Sequence, residues 1–422
     1  MLGVSLLAQE AEELSQEFKI GIEIRPRLEY YHGYKTLVAP DQDHGLSISQ
    51  RSRINLDFKN ENFITHLSLQ DVRIWGNQIQ LVGNEDFASS IHEAWAEAFI
   101  TKSFSLKFGR QEIIYDDHRI FGSVNWAQQA RSHDAFILKY KSGGFKGELA
   151  FAYNQDGVNL SGTQNAPNPR NYKSLQNLWM NYKANNQFNV SFLFLNNGKQ
   201  MDNGKDVFSQ TIGPRITFDN KTITAHGTFY YQGGENNALV GTTTEIQKIK
   251  ASYIGVDISY KFTKAFSALV GFEYLSGNSQ LETTDETKAF APFYGTNHKF
   301  NGFMDYFYVG NHANNVGLQD IYLQLNAKLP KIQFGVHTHM FLAAADVEDP
   351  ANLTTAMNRG LGTEIDMYFS FKLTKGVAFR GGYSQMFATE TMEAIKGGDR
   401  NETNNWAYAM ILFKPTLFEH KK

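Results

Sequence analysis

The chain has 422 residues, with 40 basic and 43 acidic side chains and a net charge of −3. Bulk charge therefore argues against a general nucleic-acid binder, while a local field inside the fold stays open. Cysteine is absent, which excludes disulfides, thiol catalysis and cysteine-bound metals. No run of about eighteen apolar residues occurs, so helical membrane spans are excluded as well. The 33 Phe and 20 Tyr are more than a soluble domain usually carries, and they suit a surface that faces lipid.

At the N-terminus, Met1-Leu2-Gly3-Val4-Ser5-Leu6-Leu7-Ala8-Gln9 has the form of the end of a secretory apolar region with its small-residue cleavage position, without the basic segment that precedes one; an ordinary apolar tail is the alternative. Residues 10–17 are acidic and read as a short periplasmic helix or a tail. Residues 1–17 are thus set apart, and no linker or change of composition divides 18–422, which reads as one domain.

From residue 18 the pattern has a period of two. Phe18, Ile20, Ile22, Ile24, Pro26, Leu28 and Tyr30 share one parity, and Lys19, Gly21, Glu23, Arg25, Arg27 and Glu29 share the other. On a strand these sets point to opposite faces. The split recurs at 46–58, 188–196, 250–262, 320–329 and 364–372. Further strands are expected at 63–75, 91–100, 105–114, 132–141, 147–154, 174–182, 210–218, 223–232, 266–276, 332–341, 376–387 and 404–414. The connections alternate in length. Short turns fall at 59–62, 102–103, 142–144, 185–187, 219–221, 263–265, 330–331 and 374–376. Long loops fall at 31–45, 76–90, 115–131, 155–173, 197–209, 233–249, 277–317, 342–359 and 388–403. About eighteen antiparallel strands with short periplasmic turns and long external loops predict an all-β transmembrane barrel of the outer membrane. A soluble double-sheet protein would show similar residue alternation but gives no reason for connection length to alternate. Residues 300–310 offer a further strand, yet an even strand count makes an inward-folding loop within 277–317 the better reading.

The inward parity gathers Arg25, Arg27, Arg51, Arg53, Arg215 and Arg380 as candidate lumen residues. A ladder of planar, permanently charged donors would attract anions and offer successive weak contacts. Glu23, Glu29, Asp57, Glu148, Asp257, Glu273, Glu364 and Asp366 share that parity, so each arginine has a wall-bracing role as its alternative.

The segment 109–126, Gly-Arg-Gln-Glu-Ile-Ile-Tyr-Asp-Asp-His-Arg-Ile-Phe-Gly-Ser-Val-Asn-Trp, followed by Arg131-Ser132-His133-Asp134-Ala135-Phe136, resembles the signature hairpin of the bacterial alginate-export family of outer-membrane proteins. The resemblance is strongest over about 90–140, including Glu93-Ala94-Trp95-Ala96-Glu97. It implies an eighteen-stranded barrel with an arginine-rich, anion-selective lumen that passes a uronate polysaccharide. By that analogy the strand-end arginines are Arg110, Arg119 and Arg131, with acidic partners Asp116, Asp117 and Asp134. The family often has glycine before the loop aspartate, where this chain has Asp116-Asp117. The stretch 294–308 resembles Bacteroidetes-type relatives more than the pseudomonad form. Within it Lys299, Asn301, Asp305 and Tyr306 are candidates for a constriction, its aromatic rings suited to stacking on sugars or to anchoring the loop.

An enzyme is the weaker reading, because no local motif fixes a nucleophile, base and acid or a carboxylate pair. His337 and His339 share a strand face and would need a third ligand to hold a metal, so lumenal hydrogen bonding is the plainer role. Asp41/Asp43 and Asp346/Glu348/Asp349 could hold calcium in external loops, with solvated acids the default. No organic cofactor is expected. The partners expected are outer-membrane lipid and lipopolysaccharide, an anionic saccharide or other small anion, and a periplasmic or outer-membrane protein. The function expected is a porin-like channel for anionic solutes; the alternative is a plugged barrel that anchors external loops for binding or assembly.

Overall fold

The computed structural model describes residues 15–78, 80, 89–165, 172–240, 243–282, 284–307 and 316–422. The signal-like segment of residues 1–9 and most of the tail lie outside the described residues. The described residues form an antiparallel barrel of eighteen strands. In chain order these are β1 (Glu17–His32), β2 (Gly45–Lys59), β3 (Phe63–Ile74), β4 (Ser89–Phe99), β5 (Phe104–Gln111), β6 (His133–Ser142), β7 (Phe145–Tyr153), β8 (Ser174–Lys183) and β9 (Phe188–Gln200). They continue with β10 (Asp206–Asp219), β11 (Ile223–Val240), β12 (Thr243–Lys261), β13 (Phe266–Leu275), β14 (Leu318–Lys328), β15 (Ile332–Leu342), β16 (Gly360–Thr374), β17 (Val377–Ala388) and β18 (Asn404–Phe413). Past Lys414 and Pro415 the segment Thr416–Lys421 resumes the path of β18 against the start of β1. Each strand pairs with its neighbour in sequence, and β18 closes on β1 with Leu28 opposite Ala409. Closure leaves no strand edge to be satisfied inside lipid.

Residue parity sets the two faces. Ile54, Phe108, Phe136, Phe229, Val256 and Leu323 are exposed on the outer wall. The periplasmic turns are tight because their polar side chains cap their own backbone: Asn220 Oδ1 accepts from Thr222 N at 3.1 Å and Ile223 N at 2.7 Å.

Four long connections depart from plain loops. Strands β11 and β12 pair out to Val240 opposite Thr243, so the expected loop 233–249 is a strand extension. Strands β9 and β10 likewise pair from Gln200 opposite Asp206, which shortens 197–209. The connection 342–359 carries a small hairpin of Glu348–Asp349 and Asn352–Ala356. A helix, α1 (Glu390–Lys396), starts at Thr389, whose hydroxyl accepts from Met392 N at 3.2 Å.

The interior is not polar throughout. In β6–β9 the inward residues Ala135, Ile137, Leu175, Leu193 and Leu195 are buried and apolar, joined to Phe121, Phe290, Met304, Tyr306 and Trp406 in one core. The protein core thus sits within the barrel. It is built by the β5–β6 and β13–β14 connections, which fold inward and meet. Gly122 N donates to Tyr294 O and Thr296 N to His118 O, both at 2.9 Å. Gly295 has no room for a Cβ, which would strike the Arg119 carbonyl. Residues 300–307 contain no strand, and 308–310 lie outside the described residues.

Candidate functional site

Strands β1 and β2 bring four arginines onto one lumenal patch. Arg25 stands directly opposite Arg51, and Glu23 opposite Arg53. Arg25, Arg27, Arg51, Arg53 and Glu23 are all buried. Arg51 Nε donates to Glu23 Oε1 at 2.9 Å, and Arg27 Nε to Glu29 Oε2 at 2.8 Å. Their other donors go largely to the β5–β6 loop. Arg25 reaches Asn125 O at 2.8 Å and Gln128 Oε1 at 2.8 Å, Arg27 reaches Trp126 O at 2.6 Å, and Arg51 reaches Asn125 Oδ1 at 2.8 Å. The guanidinium of Arg27 also lies 4.1 Å from the Trp126 ring centre. The patch therefore clasps a loop through amide and carbonyl oxygens, which orient a guanidinium without neutralising it. Arg53 is the exception: Nε donates to Gln70 Oε1 at 2.9 Å, and Nη2 has no hydrogen-bond partner among the described residues.

A second sector carries acids. Glu273 on β13, Asp320 on β14, and Glu364 and Asp366 on β16 are all buried on the inner face. They receive the β13–β14 loop. Asn301 Nδ2 donates to Glu273 Oε2 at 2.7 Å and to Asp320 Oδ2 at 3.1 Å, and Met304 N donates to Glu364 Oε1 at 2.8 Å. Asn301 and Gly302 take φ of +60° and +82°, and a side chain at Gly302 would collide with the Glu364 carboxylate. Arg119 joins the two loops to this wall. Its Nη2 pairs with Glu273, both terminal nitrogens reach Asn301 Oδ1 at 3.3 Å, and the Phe300 ring centre lies 3.9 Å away.

The other expected site residues fall into separate settings. Arg215 is lumenal and paired with Asp117 at 2.7 Å and Thr228 Oγ1 at 2.6 Å. With Lys299, His226 and Asp257 they border a cavity of about 200 Å³ below the loops. Lys299 Nζ donates to Asp117 O at 2.8 Å. Arg131 reaches Gly295 O at 3.3 Å. Arg380 is exposed on the inner face and has no ion pair or hydrogen bond among the described residues. Asp116 takes φ +51°, a left-handed position that explains the glycine of the family pattern, and burial of its carboxyl in the loop raises its pKa. Asp305 accepts from the Tyr34 hydroxyl and lies 2.9 Å from His298 Nδ1. Tyr306 donates to Gly33 O.

Three expectations are corrected. Arg110 and Asp134 do pair, at 2.8 Å, but they share the outward parity of Phe104, Phe108 and Phe136 and stand on the outer wall, with side chains 41% and 60% exposed. Arg119 pairs with Glu273 and not with Asp116, Asp117 or Asp134, and its charge is sealed between the inward loops and β13. Asn301, Asp305 and Tyr306 face the plug core and anchor the loop, leaving Lys299 as the constriction candidate open to the lumen. His337 lies 3.3 Å from Asn326 Oδ1, and His339 Nδ1 2.9 Å from Asp320. Asp346 pairs with Arg359 at 2.7 Å. Among the described residues, the metal-capable group of three is elsewhere, at His92, Glu93 and Glu112. Sequence reasoning missed His92, Glu112, Asn125 and Gln128, whose roles depend on loop placement and on a bulge.

The architecture matches solved outer-membrane barrels. Acinetobacter baumannii OccAB1 superposes with a TM-score of 0.63 at 12% identity, covering 95% of this chain and 97% of that one. Pseudomonas aeruginosa OccD3 (OpdP) gives 0.61 at 11%, covering 95% and 92%, and Pseudomonas aeruginosa OpdQ gives 0.61 at 9%, covering 95% and 98%. At such identities the likeness is one of fold. No curated protein sequence matches the chain. The model of the family described as alginate export matches residues 16–406. The chain is a β-barrel of the Gram-negative outer membrane whose family and fold match non-catalytic transport proteins, and by the family match over nearly its whole length it belongs to the alginate export family.

Proposed function

We propose that the barrel is a passive channel for anionic solutes, chiefly acidic oligosaccharides or polysaccharides such as alginate, guided by Arg25, Arg27, Arg51 and Arg53. The observation that carries this reading is the direct opposition of Arg25 and Arg51 within a patch where, among the described residues, Glu23 and Glu29 alone are hydrogen-bonded to the arginines as counter-charges. Like charges facing each other across two strands weaken a sheet. Wall stability alone would not select them, whereas an anion passing along the wall would find successive donors. The unpartnered Arg53 Nη2 and the exposed Arg380 extend the positive path, and Arg215 and Lys299 border the cavity below it. Family membership supports the saccharide class. The apolar plug means that passage requires the inward loops to move aside.

Conductance in planar bilayers under a salt gradient tests the reading. The expected result is an anion-selective reversal potential that shifts towards neutral in Arg53→Gln and Arg380→Gln, neither of which hydrogen-bonds a loop. A cation-selective current, or selectivity unchanged in the folded double variant, would sink it. The plug favours a second reading, a sealed barrel that displays external loops to a protein partner. That reading predicts no current at any voltage and a stable partner after membrane solubilisation.

A further inference from the structure

Strand β4 contains a bulge. Ser68 pairs with Glu93 and Leu69 with Ile91, which leaves His92 as an extra residue in the ladder. Ile91 stays on the lipid side while His92 is buried and Glu93 turns to the lumen. An unbroken strand cannot send two consecutive side chains to one face, and bulges commonly serve to re-aim a side chain at a site.

The two re-aimed groups meet Glu112, the first residue beyond β5. His92 Nε2 lies 3.0 Å from Glu112 Oε1, and ligand atoms of His92, Glu93 and Glu112 all fall within 4.8 Å of one another. A second imidazole adjoins them, with His66 Nε2 3.5 Å from Glu93 Oε2. Zinc bound by nitrogen and oxygen at roughly 2.0–2.2 Å sets tetrahedral ligand atoms about 3.4 Å apart. The separations of 3.0 and 3.5 Å bracket that edge.

Two features of the cluster suit a cation. His66 Nδ1 is 2.7 Å from Asp57 Oδ1 and its Nε2 3.5 Å from Glu93 Oε2, so with Nδ1 held by Asp57 the Nε2 atom is the one placed to take a cation in exchange for its proton. This carboxylate–histidine arrangement fixes the ligating tautomer in metal sites. Glu93 and Glu112 have no lysine or arginine ion-pair partner among the described residues; Glu93 Oε1 accepts from Trp95 Nε1 at 3.0 Å and Glu112 N at 3.1 Å, which leaves Oε2 turned to the imidazole of His66. Two imidazoles with two carboxylates suit a borderline cation better than calcium or magnesium, which prefer oxygen throughout.

We propose that His92, Glu93, Glu112 and His66 form a binding site for a zinc-class divalent cation on the lumenal wall, with Asp57 as a positioning residue. Bound metal ties the root of the inward β5–β6 loop to β4. It also discharges two carboxylates close to Arg53, which strengthens the positive field; this last consequence rests on the channel reading, but the binding does not.

The test uses full-length barrel folded in detergent, stripped with chelator and titrated calorimetrically with Zn2+, with metal content measured after gel filtration. One Zn2+ per chain is expected. His92→Ala and Glu112→Gln should each lower affinity about tenfold or more, and Asp57→Asn about 10–100-fold, the usual effect of an outer-shell partner. Co2+ in the same site should give the visible absorption of a tetrahedral centre. Heat-dependent gel migration identifies folded variants, and the wild-type stoichiometry and Co2+ spectrum need no variant at all. Less than one Zn2+ per chain, an octahedral Co2+ spectrum, or unchanged affinity in folded His92→Ala would overturn the site. A barrel that binds one Zn2+ yet conducts no anions would remove the channel reading and leave this one standing.

Discussion

Arg119→Met isolates what holds the two inward loops. The wild-type side chain is buried at 1% exposure, and methionine keeps much of its bulk while removing the charge. Glu273, 4% exposed, then keeps the Tyr253 hydroxyl and Asn301 Nδ2, each at 2.7 Å, and loses its counter-charge. Breaking one side of a buried ion pair costs about 3–5 kcal/mol. At about 1.4 kcal/mol per tenfold, the undocked population should rise about a hundred- to several-thousand-fold. Because the chain lacks cysteine, Met304→Cys is a clean reporter at a position with 0% exposure inside the β13–β14 loop. Its maleimide labelling rate in folded barrels follows the open population. Adding Glu273→Gln should recover most of the loss, since removing both charges leaves no unpaired ion. Labelling of the Arg119→Met barrel within a few-fold of its parent would refute the claim that this pair holds the plug.

Three further outcomes follow from the same geometry. Tyr34→Phe removes the hydroxyl that donates to Asp305, a bond to a charged acceptor worth about 1.5–3 kcal/mol, so labelling of Met304→Cys should rise about ten- to hundredfold. Arg110→Ala should leave ion selectivity unchanged and alter stability by less than about 1 kcal/mol, because its pair with Asp134 is exposed on the outer wall; a selectivity shift in bilayers would place Arg110 in the path after all. Lys396, whose ammonium donates to Tyr306 O, has its pKa lowered by burial from 10.5 to about 8. The undocked chain therefore binds more protons between these values, so docking should strengthen as pH rises from about 8 through 10.5 and weaken as it falls back. Lys396→Met should flatten that profile in the same labelling assay, and a slope of unchanged size would exclude Lys396 as its source.

The two loops that fill the barrel are linked to each other. Residues 118–122 and 294–296 exchange backbone hydrogen bonds, and Val124 N donates to Thr296 Oγ1 at 3.0 Å. Arg119 on one loop is held by Asn301 on the other. Withdrawing either loop strips donors and acceptors from its partner, so the pair behaves as one cooperative unit. The arginine patch grips that unit from β1 and β2, and the acids grip it from β13 to β16. On the proposed anion-channel reading, an anion competing for the guanidiniums would displace loop carbonyls and so bind the undocked state more tightly.

What was legible in the sequence was whatever is set locally. Strand positions, the inward parity of Arg25, Arg27, Arg51 and Arg53 and the alternation of turns and loops follow from spacing along the chain. The same spacing also places Arg110 outward, in step with Phe104, Leu106 and Phe108; the family analogy, which treats it as a strand-end arginine of the lumen, gives the opposite face. The plug was not legible, because Arg119 and Glu273 are 154 residues apart and Arg25 and Gln128 are 103 apart. Its trace lies in β6–β9, where Ala135, Ile137, Leu193 and Leu195 put apolar side chains on the face that a water-filled pore would leave polar. A strand apolar on both faces inside an otherwise alternating barrel has to pack against protein on its inner side, since water there would oppose the burial that orders it. Lapses of alternation therefore mark the sector where loops turn inward. The bulge at His92 leaves a fainter trace, a change of parity within β4: Ile91 faces lipid at an odd position, while Ala94 and Ala96, opposite the outward Arg110 and Phe108, face it at even ones.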